Sequence, residues 1–172
     1  EYVEGQNICR YCDTARLDIP ARLGLLLQVC DAVAYAHGRL VVHRDLKPAN
    51  VLVGATGEVK LLDFGIAKLI EPGGVAAATA IPQRVYTPEY AAPEQIRGEL
   101  TTTAVDVYAL GVLLFELISG QRPYATHEQS VAAIEQQVLH AEPGRPSGSI
   151  TAARQRHAPV AGAGAETACE SL

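Results

Sequence analysis

No methionine occurs anywhere in these 172 residues, so the chain lacks an initiator and reads as a fragment of something longer. Excess charge of either sign is missing too: 14 Lys and Arg stand against 19 Asp and Glu, a net charge of −5, and the pI is near 5.5. That balance offers no basic footprint to a nucleic acid or to an anionic membrane surface. Long hydrophobic runs are equally scarce. The longest, residues 107–118, is broken by Glu116 and falls short of the roughly 20 apolar residues that a bilayer-spanning helix needs. No signal peptide and no membrane segment is read from the sequence. The composition, 48% hydrophobic, fits one cytoplasmic globular domain with a core of its own.

Cysteine is sparse as well. Cys9, Cys12, Cys30 and Cys169 do not form a disulfide framework, and Cys30 falls on an apolar helical face. Cys9-x-x-Cys12 could be half of a zinc site, but no second pair and no His-x-x-x-His follows it. These thiols are therefore read as ordinary helix residues.

What is present is periodic. Residues 6–16 read as a short helix. Asp18-Ile19-Pro20 is a helix start, with a capping carboxylate and a proline in the first turn. Leu23, Leu26, Leu27, Cys30, Val33, Ala34 and His37 then recur at helical spacing until Gly38. Residues 50–53 and 58–62 predict two short strands around the turn formers of 54–57. Pro72-Gly73-Gly74 and the alanines after it have no periodicity and predict a loop. Residues 103–120 are apolar on nearly every face, the pattern of a helix buried all round. Residues 126–140 predict another helix, with Val131, Ile134 and Val138 on one side.

Three ordered strings carry the chemistry: His43-Arg44-Asp45-Leu46-Lys47-Pro48-Ala49-Asn50, then Asp63-Phe64-Gly65, then Ala92-Pro93-Glu94. In this order they resemble the C-terminal lobe of a bacterial serine/threonine protein kinase of eukaryotic type, over residues 1 to about 147. The resemblance implies an α+β fold, a mainly helical C-lobe whose short β-hairpin bears the catalytic loop and magnesium ligands. It implies ATP and Mg2+ as cofactors and protein hydroxyls as substrates. Asp45 would accept or orient the proton of the substrate hydroxyl, and Lys47 would neutralise charge on the transferring phosphoryl group. A lysine there resembles serine/threonine kinases more than tyrosine kinases. Asn50 and Asp63 would be the magnesium ligands, hard oxygens suited to that ion.

Further roles follow from the same likeness. Arg44 resembles the arginine that receives a phosphorylated activation-loop residue, with Thr79 the expected acceptor. Thr87, in Tyr86-Thr87-Pro88, resembles the threonine that contacts the catalytic loop. His43 and Phe64 resemble two members of the apolar column linking the lobes. Leu52 would floor the adenine, and the backbone of Glu1 and Val3, in a hinge-like opening segment, would meet its edge. Asp106 would bond the catalytic-loop backbone, since a buried carboxylate needs such donors. Tyr108 stands where tryptophan is usual. Glu94 would pair with an arginine on later helices.

Departures matter equally. No G-x-G-x-x-G loop and no V-A-I-K-type lysine precede the catalytic loop, so the N-lobe is expected to be missing from this piece. Beyond residue 147 the likeness fails, and 148–172 is expected to be a disordered or truncated tail. Two readings stand: a kinase present as a fragment inactive by itself, or a non-catalytic lobe serving as a docking or regulatory module.

Overall fold

Side-chain caps decide where the helices begin. In the computed structural model, which describes residues 4–64, 86–124 and 130–147, Asn7 Oδ1 accepts the Arg10 N–H at 2.8 Å and opens α1, Ile8–Thr14. Asp18 Oδ1 accepts the Ala21 N–H at 2.9 Å and opens α2, Ile19–His37, with Pro20 in its first turn. Two strands follow a 3-10 turn at Pro48–Asn50: β2, Val51–Val53, and β3, Val59–Leu61. They are joined by a turn in which Gly57, at φ 85, adopts a conformation that favours glycine. Then come α3, Pro93–Ile96, α4, Ala104–Ser119, closed by Gly120 at φ 70, and α5, Val131–His140, capped by Ser130.

The expected hairpin is a three-stranded antiparallel sheet. Gln6–Asn7 forms β1 and pairs with β2, Gln6 opposite Val53 and Asn7 opposite Leu52. Residues 6–16 are therefore not one helix. The first two are extended and Asn7 doubles as the cap, so the helix begins at Ile8. The loop at 72–74, the start of the helix expected from 126 and the tail 148–172 lie outside the described residues.

Helix α2 packs against α4 and β3, and α1 against β2. The core joins Ile8 and Cys12 of α1, Leu25, Leu26, Val29 and Val33 of α2, Leu46, Val51 and Val53, and Ala109, Leu113 and Leu117 of α4. By length and composition α2 could cross a bilayer, but its inner face forms part of this core. Its outer face leaves Ile19, Leu23 and Leu27 exposed at four-residue intervals. Helix α4 is not buried all round: Val105, Ala109, Val112, Leu113 and Leu117 point inward while Val107 stays 62% exposed. Polar clamps fix the pieces together. The Arg22 guanidinium reaches the carbonyls of Leu17, Leu117 and Cys12 and the Asp13 carboxylate. Gln28 bridges Gly57 O and Val59 N, tying α2 to the hairpin.

The thiols are part of this packing. Cys9 is pushed up to about 12, first by burial and then by the Glu116 carboxylate beside it. Burial also raises Cys12 and Cys30. Among the described residues no group of three or more His, Cys, Asp or Glu side chains could hold a metal ion. Since the thiolate is the reactive species, iodoacetamide at pH 8 should leave Cys9 and Cys12 unlabelled until the chain is unfolded. Labelling as fast as in denaturant would contradict this packing. An unfolded thiol ionises near 9.0 while folded Cys9 holds its proton to about 12. Its contribution to stability is thus whole below the lower value and is lost as pH climbs toward the upper.

Candidate active site

Between α2 and the 3-10 turn the chain alternates inward and outward. His43, Leu46 and Pro48 are buried, and Arg44, Asp45 and Lys47 are half-buried between them. The apolar anchors fix the loop; the charged residues occupy its open side. Lys47 is extended, φ −156 and ψ 163, so its side chain leaves on the same side as that of Asp45 two residues earlier.

The Asp45 carboxylate is the centre of the site. Oδ1 accepts the Thr87 hydroxyl at 2.8 Å and the Thr87 N–H at 3.2 Å. Oδ2 takes Lys47 Nζ at 2.8 Å, and Nζ also donates to Thr87 Oγ1 at 2.8 Å. Asn50 Nδ2 donates to the Asp45 carbonyl at 2.8 Å and lies 3.5 Å from Oδ2. Asp45, Lys47, Asn50 and Thr87 thus form one constellation.

Strand pairing brings the chain back past this constellation: the ladder of Val51 with Leu61 continues through Leu62 N–H to Asn50 O at 2.9 Å, and Asp63 is the next residue. Asp63 is exposed and sits at φ 50, and among the described residues neither its carboxylate nor Asn50 Oδ1 takes a hydrogen bond. Both are hard oxygens left open, the donor type that magnesium uses when it shares its shell with phosphate. The next residue, Phe64, lies against the His43 ring, centroids 5.0 Å apart. His43 Nε2 meets the Leu62 carbonyl at 2.9 Å, which requires a proton on that nitrogen.

Beneath the loop lies Asp106, 1% exposed. Its Oδ2 accepts the His43 N–H and its Oδ1 the Arg44 N–H, both at 2.8 Å. His37 Nε2 meets Oδ2 at 2.8 Å as well. Arg44 itself is at φ 69, and its buried Nε has no hydrogen-bond partner among the described residues. An unsatisfied guanidinium N–H of this kind fits an anion.

Other expected site residues are placed as follows. Leu52 is half-buried and faces away from the helical core, with Lys60 opposite it across the sheet. A Cβ at Gly5 would come within 3.0 Å of Val53 O and 3.2 Å of Leu52 Cβ, so only glycine fits there. Glu94 is half-buried, and among the described residues its carboxylate has no ion pair; Arg122 pairs with Glu89 instead, at 2.9 Å. Burial holds the Tyr108 hydroxyl above its usual range, with Tyr124 adding to the effect. Glu1, Val3 and Thr79 lie outside the described residues. A hollow of about 660 Å3 sits elsewhere, between Glu4, Tyr11 and the β2–β3 turn.

Several contributors carry no motif signature. His37 looked like one more helix residue, although a histidine inside an apolar stripe is itself a signal. Gln95 bonded to Arg44 O at 2.8 Å, Tyr86 bonded to Glu135 at 3.0 Å, and Tyr90 bonded to Glu116 at 2.6 Å tie residues 86–95 to the 43–50 loop, α5 and α4.

Residues 1–157 match the protein kinase domain, and the chain belongs to that family. It is similar to the serine/threonine-protein kinase PkaA of Streptomyces coelicolor, 42% identical over 151 residues, 86% of this chain and 27% of that protein. It is similar to PrkC of Bacillus subtilis, 37% identical over 143 residues, 83% of this chain and 21% of that one. PknB of Mycobacterium tuberculosis is 35% identical over 139 residues, 80% of this chain and 22% of the relative. The chain therefore spans well under a third of the length of these relatives.

Proposed function

We propose that this chain is the C-terminal lobe of a serine/threonine protein kinase that transfers the ATP γ-phosphate to protein hydroxyls. One observation carries the reading: a carboxylate, Asp45, is held between a lysine and a threonine with Asn50 at its back. Asp45 accepts the proton of the incoming hydroxyl, taking it at an oxygen now bonded by Thr87 or Lys47. Lys47 has a third ammonium hydrogen beyond the two it uses here, free to meet phosphate oxygen. Asn50 and Asp63 would hold the magnesium, and bound there the ion would neutralise charge on the ATP phosphates. Asn50 is pre-set for this, because its amide nitrogen is anchored on Asp45 O and only its oxygen is left to ligate. Leu52, on the open face of the sheet, would floor the adenine, with a second lobe closing from above.

Residues 1–172 alone should not turn over, since positioning supplies most of this catalysis and the sequence contains no glycine-rich loop to cover the phosphates. The full-length protein should transfer label from γ-labelled ATP to a generic protein substrate when magnesium is present. Asp45→Asn should lower kcat about 10²–10⁴-fold while the KM for ATP stays near its starting value. Equal turnover by wild type and variant would overturn the assignment.

A further inference from the structure

The peptide between Arg44 and Asp45 carries the catalytic carboxylate, and its orientation is fixed from outside the catalytic loop. Arg44, at φ 69, is in a left-handed conformation that a residue with a Cβ keeps only where its surroundings over-determine it. Asp106 Oδ1 takes its N–H at 2.8 Å. Its carbonyl accepts from Gln95 Nε2, also at 2.8 Å. Across the same peptide plane the Asp45 N–H faces His43 Nδ1 at 3.4 Å. A flip of this peptide would break the Gln95 and His43 contacts together, and without them the backbone that carries Asp45 loses two of the bonds that hold it under Thr87 and Lys47.

Gln95 is itself oriented. Its Oε1 accepts the Ala92 N–H at 3.0 Å, and because Ala92 N can only donate while Arg44 O can only accept, the amide has one workable orientation. Ala92 has no side-chain acceptor, so this is half of a capping box at the start of α3, and the amide group left over is spent on the catalytic loop. Gln95 also closes the segment that begins with Thr87, whose hydroxyl bonds the same Asp45 carboxylate.

We infer that Gln95 is a positioning residue that locks the Arg44–Asp45 peptide and couples the end of the 86–95 segment to the placement of Asp45. This deepens the kinase reading and rests on it for its effect on turnover. The competing role, a simple cap for α3, separates cleanly. Gln95→Glu keeps size and the acceptor for Ala92 N–H but replaces the donor to Arg44 O by a carboxylate that repels it. Gln95→Met removes both bonds at similar volume.

The test compares wild type, Gln95→Glu and Gln95→Met in the full-length protein, reading kcat, the KM for ATP and amide hydrogen exchange at Arg44 and Asp45. Both variants should lose roughly 10- to 100-fold in kcat, the scale of a misplaced catalytic group. The KM for ATP should be unchanged, and the Asp45 amide should exchange at least about tenfold faster, because its peptide is no longer locked. If Gln95→Glu matches wild type in kcat and exchange while Gln95→Met does not, Gln95 is only a cap and the inference falls. If wild type shows no Asp45-dependent transfer, the kinase reading fails by itself. Exchange then decides: faster at Asp45 in Gln95→Glu upholds the lock, and unchanged exchange overturns it.

Discussion

Asp106→Ala is expected to lower the unfolding free energy by about 3–5 kcal/mol, the scale of breaking a buried charged network by removing one partner. The carboxylate is 1% exposed and receives the backbone N–H groups of His43 and Arg44 together with His37 Nε2. Alanine leaves the His43 and Arg44 N–H groups without their acceptor, and each buried orphan costs about 1–3 kcal/mol. For a domain of this size the melting temperature should fall on the order of 10 °C. His37→Ala removes one donor and orphans nothing on the backbone, so its cost should be nearer 1 kcal/mol. Thermal melts followed by circular dichroism check both. Equal losses for the two variants would show that the backbone amides are not what Asp106 holds. A second consequence concerns shape: without Asp106 nothing fixes the Arg44 N–H, and the strained φ at that residue can relax. Loss of fold and loss of site geometry therefore have one origin.

Local signals were legible where the chain itself satisfies them. Asp18 and Pro20 announce α2, Gly38 ends it, and the capping bond forms within three residues. The 54–57 turn announces the β2–β3 hairpin because turn chemistry is local. β1 was not legible. Two residues carry no period, and their partners, Val53 and Leu52, lie far along the chain. The outer face of α4 was misjudged for a related reason: an apolar residue such as Val107 reads as buried until the neighbours that would cover it are known. At the site, Asp45, Lys47 and Asn50 were visible because they fall within one short string. His37 and Gln95 were not, since their roles are defined by partners 69 and 51 residues away. Long-range hydrogen bonds leave no spacing to read.

Asp63→Asn should separate chemistry from stability more sharply than any other change. Asp63 is exposed and takes no hydrogen bond among the described residues, so no described contact depends on its charge. Its backbone is left-handed at φ 50, a conformation that asparagine accepts as readily as aspartate. The melting curve should therefore stay within about 0.5 kcal/mol of wild type, as for an ordinary surface change. Turnover should not survive so well. The substitution removes the negative charge of the carboxylate proposed to share the metal with Asn50, and a bound metal supplies several kcal/mol of charge stabilisation in phosphoryl transfer, each 1.36 kcal/mol being tenfold in rate. A loss of about 10²–10⁴-fold is expected on that scale. It should come with a higher magnesium requirement, read by titrating the metal at saturating ATP. Asp45→Asn, which leaves both ligands in place, should lose turnover without moving the magnesium midpoint. Retained transfer in Asp63→Asn, or a midpoint that shifts in Asp45→Asn alone, would place the metal elsewhere.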